Sequence, residues 1–359
     1  MKHIVLYINS MAPSGGIERV IATLAKNFSS SYKVTVLVKD KPITFYELPK
    51  NVEIHTLDYE LKLNMNSRLS RMVTLAKHLL SVGKILNKKF KELNPDFLYI
   101  TTPYACLETI LAKIPKKNIV ITEHGSRVNY NFIYQWMKIL LYKKFPVQIV
   151  PTRADFNWYA ERGFPSVLIP HFRSNLPYQR CDLNSKIILN IGRLTDDKNQ
   201  LALLRIWERI MEIKSLKDWN LKIVGNGENH DILNDYIIEK KIKNIKILEP
   251  IKDVEKIYSS SSVYVSTSRS EGYPMVLVEA VSFGLPTIAF DCPTGPDEIL
   301  NNDSGVLIKL GDEDGFVNKL SELMSDLGLR EKFSENAYVR SNNWGEEEIM
   351  IKWNKVFNK

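Results

Sequence analysis

Short apolar runs alternate with longer amphipathic stretches through the first half of the chain. HIVLYI (3–8), KVTVLV (33–38), FLYIT (97–101) and IVIT (119–122) are brief and rich in Val and Ile, as buried strands are. The stretches 17–30 and 66–93 have helical spacing. In the second, Leu69, Met72, Val73, Ala76, Leu79, Leu80, Leu86 and Phe90 return at steps of three or four. Apolar strands linked by helices predict a parallel sheet covered on both faces.

The rhythm then restarts. IILNIG (187–192), LKIVG (221–225), IKILE (245–249), VYVST (263–267) and TIAFD (287–291) read as strands. About 199–214, 229–241, 252–261 and 275–283 read as the helices between them. A polar stretch punctuated by Pro170 and Pro177 separates the halves. The expected architecture is α/β, with two Rossmann-like parallel-sheet domains (residues 1–174 and 175–343) facing a central cleft. A last segment, 344–359, carries a helix at about 346–357. Ligands of open parallel sheets bind outside the carboxyl ends of the strands, so candidate residues are sought there.

Composition narrows the class. A length of 359 residues suits two domains. At 44% hydrophobic and 25% charged, the chain is neither disordered nor of low complexity. It has no run of about 18 apolar residues, so no transmembrane helix is expected. MKHIVLYINS lacks a small-residue cleavage site and reads as a first strand, not a signal peptide. Three widely spaced cysteines, Cys106, Cys181 and Cys292, exclude a disulfide framework and a zinc knuckle and fit a reducing cytoplasm. The net charge of +8 is lopsided. Residues 1–175 hold 25 Lys/Arg against 12 Asp/Glu, net +13; residues 176–359 hold 24 against 29, net −5. One half is therefore the one to meet an anionic surface or polymer.

Ser14-Gly15-Gly16-Ile17-Glu18-Arg19 follows the first strand and opens a helix, where glycines admit a ligand to the backbone and the helix N-terminus favours an anion. An ordinary Gly-rich turn would look the same. Glu123-His124-Gly125 puts a histidine at a strand end, able to donate to a phosphate or hydroxyl or simply to brace a loop. Gly192-Arg193-Leu194 and Lys198 bracket a turn before a helix; two cations there suit a diphosphate, although Asp196 and Asp197 also fit a solvated loop. Gly225-Asn226-Gly227 resembles a dinucleotide fingerprint but has His230 where the third Gly belongs, leaving a tight turn beside a nucleotide.

Ser270-Glu271-Gly272-Tyr273-Pro274-Met275-Val276-Leu277-Val278-Glu279-Ala280 is the strongest signal. Gly272 and Pro274 make a turn into a helix whose first amides suit a phosphate. Glu279 lies further in, where a carboxylate suits a ribose diol, and burying it without a partner would be costly. Gly295-Pro296-Asp297-Glu298 starts another helix, whose acids fit simple dipole partners.

Taken in order, these motifs resemble the family 4 retaining glycosyltransferases of the GT-B fold over nearly the whole chain. The Gly-Gly loop matches Gly15-Gly16, the strand-end histidine His124, the G-R-L-x3-K stretch Gly192 to Lys198, and the E-x7-E motif Glu271 and Glu279. The resemblance implies that Arg193 and Lys198 neutralise the donor's departing diphosphate and that Glu279 holds its ribose. It implies that Glu271, with the turn Gly272, Tyr273, Pro274 and Met275 and the N–H groups of its non-proline residues, holds the hexose and β-phosphate. Gly225 is expected beside the nucleotide, and His124 with Gly16 would close over the sugar. The family's last helix crosses back to the first domain, as 346–357 would. The donor is expected to be a nucleotide sugar, UDP being the family's commonest nucleotide, with no metal and no further cofactor. Retention by front-face attack is likewise implied. Ile169-Pro170-His171-Phe172 departs from the family, which has Asn after Ile-Pro. The run Asp291 to Pro296 looks like a subgroup acting in bacterial surface polysaccharide assembly.

The basic half adds an acceptor clue. Lys77, Lys84, Lys88 and Lys91 have spacings of 7, 4 and 3 and form one stripe on helix 66–93. FIYQWMKILLYKKF (132–145) mixes aromatics, Trp136 among them, with Lys138, Lys143 and Lys144. Both suit docking on an anionic leaflet, against the plainer reading of a solvated helix face. The expectation is a cytoplasmic enzyme, peripheral on the inner face of the cell membrane, with a lipid-linked glycan acceptor. A sugar phosphorylase or nucleotide-sugar epimerase of the same fold is the alternative. A basic nucleic-acid-binding protein is the remote one, since no zinc, RNP-like or arginine-rich pattern supports it.

Overall fold

The computed structural model describes residues 1–59, 68–125, 127, 132–300 and 303–358, with side chains from 78 onward in the helix that begins at 68. The chain divides into two compact units: Met1–Phe172 with Glu346–Lys359, and Arg173–Gly345.

The first unit is a seven-stranded parallel sheet: β1 (His3–Ile8), β2 (Lys33–Val38), β3 (Glu53–Thr56), β4 (Phe97–Ile100), β5 (Ile119–Thr122), β6 (Gln148–Val150) and β7 (Ser166–Leu168). Their order is β3-β2-β1-β4-β5-β6-β7. The crossovers are α1 (Gly16–Phe28), α2 (Arg68–Leu93), α3 (Pro103–Leu111), α4 (Phe132–Tyr142) and α5 (Arg153–Ala160). β1 is central and buried at every position, which explains its unbroken apolar run. Local chemistry starts the short helices. Thr102 accepts from the Ala105 amide ahead of Pro103 in α3, and Thr152 accepts from the Asp155 amide in α5. The last helix, Glu346–Phe357, belongs to this unit. Trp353 and Phe357 pack on Phe28 of α1 with ring centroids 5.1 and 5.3 Å away.

The second unit repeats the plan with six parallel strands: β8 (Ile187–Ile191), β9 (Asn220–Val224), β10 (Ile245–Leu248), β11 (Val263–Ser266), β12 (Thr287–Asp291) and β13 (Val306–Lys309). Their order is β10-β9-β8-β11-β12-β13. The helices are α6 (Gln200–Ile210), α7 (His230–Glu239), α8 (Val254–Ser259), α9 (Met275–Ser282), α10 (Pro296–Ile299), α11 (Glu313–Ser325) and α12 (Leu327–Arg340). Trp207, Trp219, Phe290 and Phe316 anchor the core.

In both sheets the chain winds outward on one side, then returns to the middle and winds the other way. The switch points lie at the carboxyl ends of β1 and β4, and of β8 and β11, where such sheets bind ligands. All nine strands expected from the apolar runs form. Four more, β3, β6, β7 and β13, are only three or four residues long. Among the described residues no helix is long and apolar enough to cross a membrane.

Candidate active site

At the second switch point the loop after β8 (192–199) meets the loop after β11 (267–274). Asn199, in the left-handed region at φ 54°, reaches the Thr267 carbonyl, and the Arg269 amide donates to the Asp197 carbonyl. The junction brings Lys198 to Glu271, with Nζ 2.6 Å from Oε2. Ser268 Oγ donates to the other carboxylate oxygen at 2.7 Å. Glu271 is 7% exposed, so its charge is offset by one lysine and one hydroxyl in a poorly solvated place. Arg193 stays outside, its side chain 66% exposed and 3.4 Å from Asp197.

The turn Gly272-Tyr273-Pro274 leads into α9, with Pro274 at the cap. Gly295, at φ 97°, lets its loop close on this turn: a Cβ there would stand 2.6 Å from Pro274 and 2.9 Å from the Gly272 carbonyl oxygen. Met275 is buried. Tyr273 is also buried, and its hydroxyl accepts from Trp344 Nε1. Its side chain therefore braces the fold, and only its backbone remains available to a donor. Burial raises the phenol's pKa.

Glu279 is 1% exposed and has partners within its own unit. Tyr258 donates to Oε2 at 2.9 Å, and Ser174 donates to Oε1. The expectation that an unpartnered Glu279 would be costly is thus answered by two hydroxyls. Gly225 also has a structural reason: a Cβ there would lie 1.9 Å from the Gly192 carbonyl oxygen, and one on Gly227 2.4 Å from that of Leu194. These glycines let two backbones meet.

In the first unit His124 follows β5. Its Nε2 lies 2.8 Å from Thr122 Oγ1 and 3.1 Å from the Tyr99 hydroxyl, while Nδ1 is buried without a hydrogen-bond partner among the described residues. The ring stacks on His171, with centroids 5.1 Å apart and planes 15° apart. Sequence reasoning left His171 without a role. Burial, then the neighbouring His171 and Lys138, hold the His124 pKa well below the usual value, and burial brings His171 to about 4. The downward shift in both rings favours their neutral forms, which suit hydrogen bonding better than charge neutralisation. Gly15 caps α1, and a Cβ on Gly16 would meet nothing within 4 Å. Packing therefore does not explain a glycine at 16.

Lys138 corrects an expectation. It is not on a membrane-facing surface but 2% exposed, with Nζ 2.7 Å from Glu123 Oε1; Tyr159 donates to the other oxygen at 3.0 Å. Its place on the inner side of α4 follows from helical phase, since it lies about 200° round from Trp136. Lys84, Lys88, Lys91, Trp136, Lys143 and Lys144 are exposed. The side chain of Lys77 lies outside the described ones. Among the described residues no three His, Cys, Asp or Glu side chains gather as metal ligands.

Two parallel-sheet units of this order in one chain are the GT-B architecture. Residues 14–172 match the family described as Glycosyltransferase Family 4, and residues 177–340 match Glycosyl transferases group 1. The chain belongs to the family 4 glycosyltransferases. It is 28% identical to the amylovoran biosynthesis glycosyltransferase AmsD of Erwinia amylovora, over 100% of both chains. It is 24% identical to a Campylobacter jejuni alpha-1,4-N-acetyl-D-galactosaminyltransferase over 98% of this chain and 97% of that one. That enzyme's name gives an acceptor ending in PP-undecaprenol. The S. aureus TarM structure, a complex with fondaparinux, alpha-GlcNAc-glycerol and UDP, superposes with a TM-score of 0.80 at 15% identity and covers 100% of both chains. The protein is thus a glycosyltransferase, and the phosphorylase, epimerase and nucleic-acid-binding alternatives find no support.

Proposed function

We propose that the protein moves a hexose or N-acetylhexosamine from a UDP-sugar to a lipid-linked glycan, with retention and without a metal, in bacterial surface polysaccharide synthesis. The observation that carries this reading is the ion pair between half-buried Lys198 and buried Glu271 at the switch point of the second sheet. A diphosphate arriving there offers Lys198 a second anionic partner, and Arg193 is exposed beside it to meet the same charge. The turn at Gly272–Met275 supplies backbone amides at a helix start, and Glu279 supplies a carboxylate for the ribose. The UDP in the TarM complex and the undecaprenol-linked acceptor named for the Campylobacter relative support the choice of substrates.

In the proposed step the C1–O bond to the β-phosphate breaks and a bond from C1 to the acceptor oxygen forms on the same face. The acceptor's proton passes to the leaving phosphate. Lys198 and Arg193 hold the charge that develops on that phosphate. The +13 charge of residues 1–175 supports a cytoplasmic enzyme that meets an anionic leaflet through its first unit. A thermal-shift screen of nucleotide sugars tests the donor. A UDP-sugar well above its Kd raises the melting temperature by mass action. A protein that responds only to another nucleotide's sugars, or to none, contradicts the UDP assignment.

A further inference from the structure

Helix α4 has two faces of opposite kind. Phe132, Ile133, Trp136, Ile139 and Leu140 are 81, 67, 55, 41 and 44% exposed. At about 100° per residue these five fill an arc of about 120°. Lys138, Leu141 and Tyr142 fall on the other side and are buried. The apolar surface continues on α3 through Tyr104, Ile110 and Leu111, with the Tyr104 and Tyr134 rings 6.0 Å apart. A patch of this extent on a soluble domain marks a contact surface.

Exposed lysines follow both helices. Lys143 and Lys144 follow α4, Lys113, Lys116 and Lys117 follow α3, and all five are exposed. Residues 132–145 contain no acid. The geometry points to an anionic lipid surface as the occupant, with α4 lying in the interface, its apolar arc at the acyl boundary and the lysines among the headgroups. Charge complementarity favours lipid over a second copy of the chain, which would bring like charges together. Trp136 suits the boundary, having an apolar ring and a polar N–H.

The inference rests on the membrane reading above and deepens it. The anchor is apolar insertion by α4, and Lys138 serves inside as the tie to Glu123, the residue before His124. Docking therefore takes place on a helix tied through Lys138 and Glu123 to the strand end beside the histidine.

Co-sedimentation with vesicles of phosphatidylcholine and phosphatidylglycerol in equal parts, at low and high salt, tests this. The wild-type protein binds and retains part of that binding at high salt, because apolar insertion is not screened. Trp136→Glu/Ile139→Glu weakens it by at least about tenfold. Brominated lipid quenches part of the tryptophan fluorescence of the bound protein, and Trp136→Phe removes that quenched part. This second readout holds whether or not the double variant folds. Three results overturn the inference: wild-type binding by the double variant, complete loss of binding in salt, or a dimer that the variant dissociates while neither protein binds vesicles. Vesicle binding is read without turnover, so its failure leaves the transferase assignment standing. Failure of UDP-sugars to stabilise the protein likewise leaves this surface standing.

Discussion

Lys198 Nζ lies 2.6 Å from Glu271 Oε2, joining the loop after β8 to the loop after β11 across the switch point of the second sheet. With Glu271 buried and Lys198 mostly so, neither charge is well solvated. A pair in such a place adds little net stability but is costly to break from one side. Lys198→Ala is expected to destabilise the protein by about 3 kcal/mol and to lower kcat/KM at least about a hundredfold. Lys198→Ala/Glu271→Ala regains stability without regaining activity. Denaturant melts alongside initial rates check both, and a stable, active Lys198→Ala enzyme would remove the pair from the mechanism.

Glu279 is held by Tyr258 and Ser174, so its role in donor binding and its role in the fold need separating. Glu279→Ala should raise the KM for the donor while kcat changes less, and should destabilise by about 2 kcal/mol because two buried hydroxyls lose an acceptor. Tyr258→Phe should cost about 1 kcal/mol and leave the KM near wild type. A matching rise in KM for Tyr258→Phe would mean that the carboxylate only needs to be positioned.

The stacked histidines give a pH signature. His171 is buried neutral with a folded pKa of about 4 against 6.5 for the ordinary group. The unfolded chain therefore binds its proton first as pH falls. Stability is fully present above 6.5 and is lost between there and about 4, by up to about 3 kcal/mol from this residue. His124 and His3, also shifted down by burial, act in the same direction. His171→Gln should flatten the stability profile over that window in urea melts; an unchanged slope would show that the imidazole is not buried neutral.

The buried Lys138–Glu123 pair makes a further separation. Lys138→Met strands Glu123 and should destabilise by about 3–5 kcal/mol, while Lys138→Met/Glu123→Leu recovers most of the loss. Lys143→Met, at an exposed position, should alter the melt by less than about 0.5 kcal/mol. Equal effects at 138 and 143 would deny the inward placement of Lys138.

The sheets were legible because β1, β2, β8 and β12 are central or long enough to bury continuous Val/Ile runs. β3, with the sequence EIHT at an edge, and β6 and β7, with three residues each, have no such run and are set by their neighbours. The motifs after β8 and β11 were legible because their residue types carry chemistry at short spacing. Three things were not. Lys138 turned inward because helical phase outweighs a lysine's preference for water once a buried carboxylate waits there. Tyr273 was tied to Trp344, some 71 positions away in sequence. His171 met His124 through the fold alone. The glycines at 225 and 227 fit a nucleotide turn equally well on paper, and only the approach of the 192–194 backbone shows a packing reason for them.

The most direct measurement follows radiolabelled sugar from UDP-hexose or UDP-N-acetylhexosamine into an undecaprenyl-diphosphate-linked glycan, with EDTA present, for wild type and Lys198→Ala. The transferase assignment requires label in the lipid fraction with release of UDP, in the same anomeric configuration as the donor, and its loss in the variant. Transfer that requires a divalent ion, inverts the anomeric centre or survives in Lys198→Ala would contradict it.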